Sequence, residues 1–177
     1  MSVGHTFLGF LDGGPQHGYG LKRVHDRWFA DGKELKFGQV YATLYRLERD
    51  GLASIVAVEA GEGPDRKSYA ITPDGVAELE QWLDTPVSPN DQSLGPLYAK
   101  VVVALMSGRS VDEVLDRQRT IHLEAMRRMR AHHAGAEVER QLALDLVIGH
   151  LQADLDWIGL AGARLARLGR QAKEVGR

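Results

Sequence analysis

The chain has no cysteine, which excludes disulfides, thiolate metal sites and a cysteine nucleophile together. It also lacks a long apolar run: no stretch reaches the roughly 18 residues a membrane span needs. The first residues do not show the basic patch, apolar stretch and small-residue cleavage site of a signal peptide. A cytoplasmic protein with no membrane partner is the expectation. Excess charge of one sign is missing too. The net charge is −2 over 177 residues, and residues 1–83 hold nine Lys/Arg against twelve Asp/Glu, a formal −3. A protein that coats nucleic acid regardless of sequence is expected to be basic. Any DNA binding must therefore rest on a few well-placed cations and on dimerisation. No Gly-rich phosphate loop and no Gly-x-Ser-x-Gly elbow occur, which with the missing cysteine argues against an enzyme.

What is present suffices for a globular chain. A hydrophobic share of 44% can build the core of one full-sized domain, or of a small domain with an appendage. Val3 to Leu11 clusters its apolar residues as a short helix does, and Asp12-Gly13-Gly14-Pro15 stops it. A second helix is predicted from about His17-Gly18-Tyr19 to Trp28, with Leu21, Val24 and Trp28 inward and Lys22, Arg23 and Arg27 outside. Asp31-Gly32 marks the next turn. In the third segment Val40, Leu44 and Leu47 recur at i, i+4 and i+7, one side of a helix that Gly51 can end by taking positive φ. Gln39, Thr43, Arg46 and Asp50 are read onto its other side, with Tyr41 and Tyr45 beside them. Three short helices, the last with a polar outer face, suggest a helix-turn-helix.

After Gly51 the period changes. Leu52–Val58 is β-branched and short, Lys67–Ile71 alternates, and Glu59–Arg66 between them is rich in Gly, Pro and charge. A cation-bearing hairpin directly after a helix triplet reads as the wing of a winged helix. Thr72-Pro73-Asp74 then caps a further helix, with Ala77, Leu79, Trp82 and Leu83 as its apolar side. Residues 85–91 form the one convincing linker, which gives domains of 1–84 and 92–177.

The second half reads as all helix. Leu97–Met106 is apolar nearly all round and too short for a membrane, hence buried. Ser110-Val111-Asp112-Glu113 opens the next helix as a capping box, with a stripe of Val111, Val114 or Leu115, Gln118, Ile121, Ala125 and Met129. A break at His133-Ala134-Gly135 leads into a last helix of about 137–168. That helix carries two stripes, Leu144, Val147, Leu151, Leu155, Ile158, Leu165 and Leu142, Leu146, Ala153, Trp157, Leu160. Two apolar faces on one helix imply two partners, the preceding helix and a second subunit. The expected fold is mostly α with a small β-hairpin wing: a winged helix-turn-helix domain plus a C-terminal helical dimerisation domain.

Four stretches in order and spacing resemble the PadR family of transcriptional regulators: Leu8–Leu11, Gly14–Leu21, Tyr41–Leu52 and Arg66–Gly75. Through its helix lengths, Tyr98-Ala99-Lys100 and Trp157, the second half resembles the virulence-activator type of C-terminal domain. The resemblance implies a dimeric winged-helix repressor, in some members released from DNA by a small aromatic effector, with the third helix in the major groove and the wing on backbone or minor groove. At Gln39 and Ala42 the chain departs from residues common in the family, Ser and Pro, which alters the expected operator rather than the fold.

Sequence readout needs directional hydrogen-bonding groups on the outer face of a groove helix. Gln39, Thr43 and Arg46 are read as the base contacts, with Tyr41 and Tyr45 alongside, and an Arg46–Asp50 pair as the structural alternative for that arginine. Lys36, Arg66 and Lys67 are read as phosphate contacts, which give affinity but no sequence information. Trp157, near His150, Asp154 and Asp156, is the candidate effector residue, its structural alternative being an interface anchor. His132-His133 point apart on a helix and find no third ligand at metal spacing, so no metal and no cofactor is expected. The expected function is a dimeric, sequence-specific transcriptional regulator, a repressor of an inverted-repeat operator on double-stranded DNA. The alternative is a winged-helix interaction module without operator binding, favoured by the acidic balance of residues 1–83; an enzyme ranks last.

Overall fold

Helix α1 (Val3–Asp12) opens a computed structural model that describes residues 3–29, 34–59, 66–89 and 95–175. The expected turn at Asp31-Gly32, the hairpin tip at 60–65 and the Asn90-Asp91 end of the expected linker lie outside those residues. Past its first turn α1 is buried on every side, with Phe7, Leu8, Phe10 and Leu11 at 2% exposure or less. It ends where Gly14 takes φ 130° and its N–H donates to the Leu11 carbonyl at 3.0 Å.

A two-residue strand, β1 (Gln16–His17), comes next and leads straight into α2 (Gly18–Phe29). Helix α3 (Phe37–Arg49) buries Val40, Leu44 and Leu47, as their spacing predicts. Gly51 at φ 73° closes it: its N–H donates to Glu48 and that of Leu52 to Leu47, the paired bonds of a Schellman cap. Strands β2 (Ala53–Glu59) and β3 (Arg66–Ile71) form the expected antiparallel hairpin, with a register shift between Ile55 and Ala57. The sheet has three strands rather than two, because β1 pairs along the free edge of β3, Gln16 opposite Tyr69. Helix α4 (Pro73–Asp84) starts as predicted: Thr72 Oγ1 accepts from the Gly75 N–H at 3.1 Å and donates to the Gly51 carbonyl at 2.6 Å.

Two compact units result, one of Met1–Thr85 with Gly95–Ser110 and one of Pro86–Leu94 with Val111–Arg177. This corrects the expected 92–177 domain. Helix α5 (Gly95–Met106) belongs by its contacts to the first unit. Val103 of α5 fills the space a side chain at Gly9 would need, the buried Lys100 ammonium donates to the Trp82 and Thr85 carbonyls, and Arg109 just beyond α5 pairs with Asp12. The apolar residues of α5 and of α1 cover one another, which takes both out of water.

In the second unit α6 (Val111–His133) and α7 (Val138–Val175) run antiparallel, since His133 pairs with Asp145, His122 with Asp154, and Leu115 lies by Gly162. The first stripe of α7 supplies that packing: Leu144, Leu151 and Ile158 are buried. Its second stripe is largely open within one chain, with Leu142 and Leu146 67% and 61% exposed. On α6 the buried set includes two polar residues. Gln118 holds both backbone groups of Val87 at 2.8 and 2.9 Å, and His122, not read as inward from sequence, bridges to Asp154 at 3.2 Å. No helix among the described residues is long and apolar enough to cross a membrane.

Candidate nucleic-acid interface

The buried side of α3 sets which side is free. Successive residues turn by 100°, so a core of Val40, Leu44 and Leu47 leaves Gly38, Tyr41, Ala42, Tyr45, Arg46 and Arg49 facing out. Tyr41 and Tyr45 are 53% and 65% exposed, and a Cβ built at Gly38 meets nothing within 4 Å. The outer face is thus aromatic on one flank, shallow along Gly38 and Ala42, and cationic on the other flank.

The start of α3 is pinned from α2. Asp26 accepts the Leu35 N–H at 2.9 Å with one carboxylate oxygen and the Lys22 ammonium at 2.5 Å with the other. Burial works to raise the Asp26 pKa, but these hydrogen bonds outweigh it and hold the carboxyl below its ordinary value. Lys22 also reaches Glu34 at 3.0 Å and lies 5.5 Å over the Phe37 ring, so it serves as a tie between α2 and α3 rather than a free outer cation. Gln39 Oε1 accepts the Lys36 N–H at 3.1 Å, closing the first turn.

The predicted base-reading trio is redistributed. Thr43 is buried, and its hydroxyl donates to the Gln39 carbonyl at 2.8 Å; this corrects its placement on the outer face. Gln39 is exposed, but its side-chain oxygen is held in the cap. Arg46 folds back along the helix, Nε to the Ala42 carbonyl and Nη2 to Thr43 Oγ1, both at 3.3 Å. Asp50 pairs with Arg49 at 2.7 Å instead of with Arg46. Arg49 is not among the residues the sequence pattern singles out, although its position seven residues after Ala42 puts it on the same outer row.

Lys36 is exposed at the helix start, and Arg66 and Lys67 are exposed at the start of β3. The strand pairing of β1 with β3, supported by His17 Nδ1 against the Lys67 carbonyl at 3.2 Å, sets these two cations opposite the start of α2. Between them opens a cleft of about 770 Å³, lined by Tyr19, Arg23, Phe37, Tyr41, Arg66 and Lys67 among others. Tyr41 therefore joins the wing cations in one cavity. Trp157 lies in the second unit and is half-buried on α7. Of the groups read as its neighbours, Asp154 is taken by His122 and Asp156 by Gln152 at 2.9 Å, while His150 is exposed.

Residues 7–81 match the transcriptional regulator PadR-like family. A Mycobacterium tuberculosis protein described as a probable transcriptional regulator is 33% identical over 95 residues, 54% of this chain and 50% of that protein. The chain thus spans about half the length of this relative. Among solved structures, Bacillus subtilis PadR in complex with operator DNA is 18% identical, with 89% of this chain and 96% of that one covered and a TM-score of 0.46. The Vibrio cholerae virulence activator AphA is 20% identical, with 96% and 99% covered and a TM-score of 0.40. The winged helix of residues 7–81 is thus the part of this chain that is similar to the PadR-like family of transcriptional regulators.

Proposed function

We propose that the chain acts as a homodimeric, operator-specific DNA-binding regulator, a repressor, with α3 in the major groove and the wing strands on the flanking backbone. The observation that carries this reading is the outer face of α3. Gly38 and Ala42 permit close approach, Tyr41 and Tyr45 offer hydroxyls, and Arg46 and Arg49 offer guanidinium forks that match guanine edges. Lys36, Arg66 and Lys67 then neutralise phosphates beside the groove. Gln39 keeps a free amide for a base, whereas Thr43 acts through Arg46, which it holds by its hydroxyl.

The open stripe of α7 supports a second copy as partner, because large leucines at such exposure are costly in water. Two copies so joined favour an inverted-repeat operator with half-sites about 34 Å apart. A small aromatic ligand would act near Trp157, and only by binding the DNA-competent and released forms with different affinity. A cytoplasmic location goes with this role.

The test is fluorescence anisotropy on labelled DNA from upstream of the chain's own gene, at two salt concentrations, with scrambled DNA alongside. Selective binding that Arg46→Ala and Arg49→Ala each weaken by about 1–3 kcal/mol supports the reading. Equal binding to scrambled DNA, or none, transfers the assignment to a protein-interaction module.

A further inference from the structure

The cleft between the start of α2 and strand β3 has two walls of different chemistry. One is aromatic: Tyr19 and Phe37 lie 6.2 Å apart at 15°, Phe37 and Tyr41 6.5 Å apart at 24°, all three exposed. The other carries Arg23, Arg66 and Lys67, and among the described residues these have no ion-pair partner and no carboxylate lines the cleft. Helix α2 adds the positive end of its dipole at Gly18. Operator DNA would use the cations and the Tyr41 hydroxyl but leave the ring faces idle, since the bases of a duplex are stacked inside it. A lone carboxylate would answer only one of three cations. A phosphate ester carries about −1.5 to −2 at neutral pH, which suits the cationic wall, and a planar base suits the rings, where stacking contributes about 1–3 kcal/mol. The volume of about 770 Å³ is in the range of small-molecule sites.

We propose that this cleft binds a free nucleoside phosphate, its base on the Tyr19–Phe37–Tyr41 wall and its phosphates against Arg23, Arg66 and Lys67. Its regulatory consequence rests on the DNA-binding reading: the nucleotide and the operator backbone compete for the same cations, so the ligand releases DNA directly from the winged helix, without any change at the helical unit.

Calorimetric titration of the full chain with ADP, UDP, adenosine and inorganic pyrophosphate tests it. One ADP or UDP per chain is expected, at least about tenfold tighter than pyrophosphate or adenosine, a ratio of the size one stacked ring provides. Tyr19→Ser, at a side chain exposed enough to leave the fold intact, is expected to bring nucleotide affinity down to that of pyrophosphate and leave pyrophosphate unchanged. Lys67→Glu is expected to weaken both. Nucleotides no tighter than pyrophosphate, or indifferent to Tyr19→Ser, overturn the proposal and leave an anion seat only. Displacement of labelled operator separates the two readings. Operator bound but not displaced by saturating nucleotide removes the regulatory step, whereas nucleotide bound with no operator binding at all removes the DNA reading and keeps the site.

Discussion

His25 sits in the core of the winged helix at 5% exposure, edge-on to Phe7 at 6.2 Å and tilted against Phe29 at 5.0 Å. Neither ring nitrogen has a hydrogen-bond partner among the described residues; Asp26 stands 3.6 Å from Nδ1, too far for one. Burial pushes the His25 pKa below its ordinary value, against the weaker pull of Asp26. The folded state thus holds a neutral imidazole. Its contribution is whole above the unfolded pKa of about 6.5, and falls as pH drops below that value, because the unfolded chain takes up the proton first. The urea midpoint should therefore decline between about pH 7 and pH 5, and His25→Leu should flatten that decline. An equal slope in the variant would place the pH dependence elsewhere. Asp26 gives a second residue-scale expectation: Asp26→Ala leaves the Leu35 N–H without its acceptor and Lys22 without its nearer carboxylate, costing about 1–3 kcal/mol by chemical denaturation.

Among the elements, α3 allows stability and recognition to be separated. Gly38 has open space where a side chain would go, so Gly38→Leu should leave the melting temperature unchanged or raise it, helix propensity favouring Leu by up to about 1 kcal/mol. On the proposed docking the same side chain would stand between helix and groove, so operator affinity should drop at least about tenfold. Loss of both properties together would mean that Gly38 serves the fold. Gly75 is the reverse case: a Cβ there would fall 2.0 Å from the Leu52 carbonyl oxygen, and Gly75→Ala should destabilise by about 3 kcal/mol or more. Legibility in the sequence varied by element. The core side of α3, its Gly51 cap, the wing hairpin and the Thr72 cap rest on local spacing and local chemistry, so they could be read. The hydroxyl of Thr43 suggests an outward side chain, but Thr43 lies three residues after Val40 and four before Leu47, inside the buried stripe; a hydroxyl that donates within the helix can be buried at little cost. β1 escaped because two residues have no period. The attachment of α5 to α1 depends on a contact between Gly9 and Val103, far apart in sequence, and no pattern within α5 could announce it.

For the whole molecule, the small net charge and the proposed DNA contact are compatible only if few cations do the binding and two chains share it. Binding affinity depends on salt through the number of phosphates neutralised, with a slope of about −0.9 per contact in log affinity against log salt. The proposed dimer would present each wing cation twice. Lys67→Ala should therefore make the slope about two units shallower, not one, while the ratio of operator to scrambled affinity stays the same, because a phosphate contact carries no sequence information. Arg49→Ala should do the opposite, lowering the ratio. Leu142→Glu and Leu146→Glu, made together on the open stripe of α7, should convert a sedimenting dimer to monomer. The far-ultraviolet helix signal should survive, since the stripe that packs on α6 is the other one. In that monomer the slope should be halved, and Lys67→Ala should then remove only about one unit. A dimer that persists after both leucines are replaced would assign the seam to another face. A wild-type slope that loses only one unit on Lys67→Ala would mean that a single winged helix meets each operator.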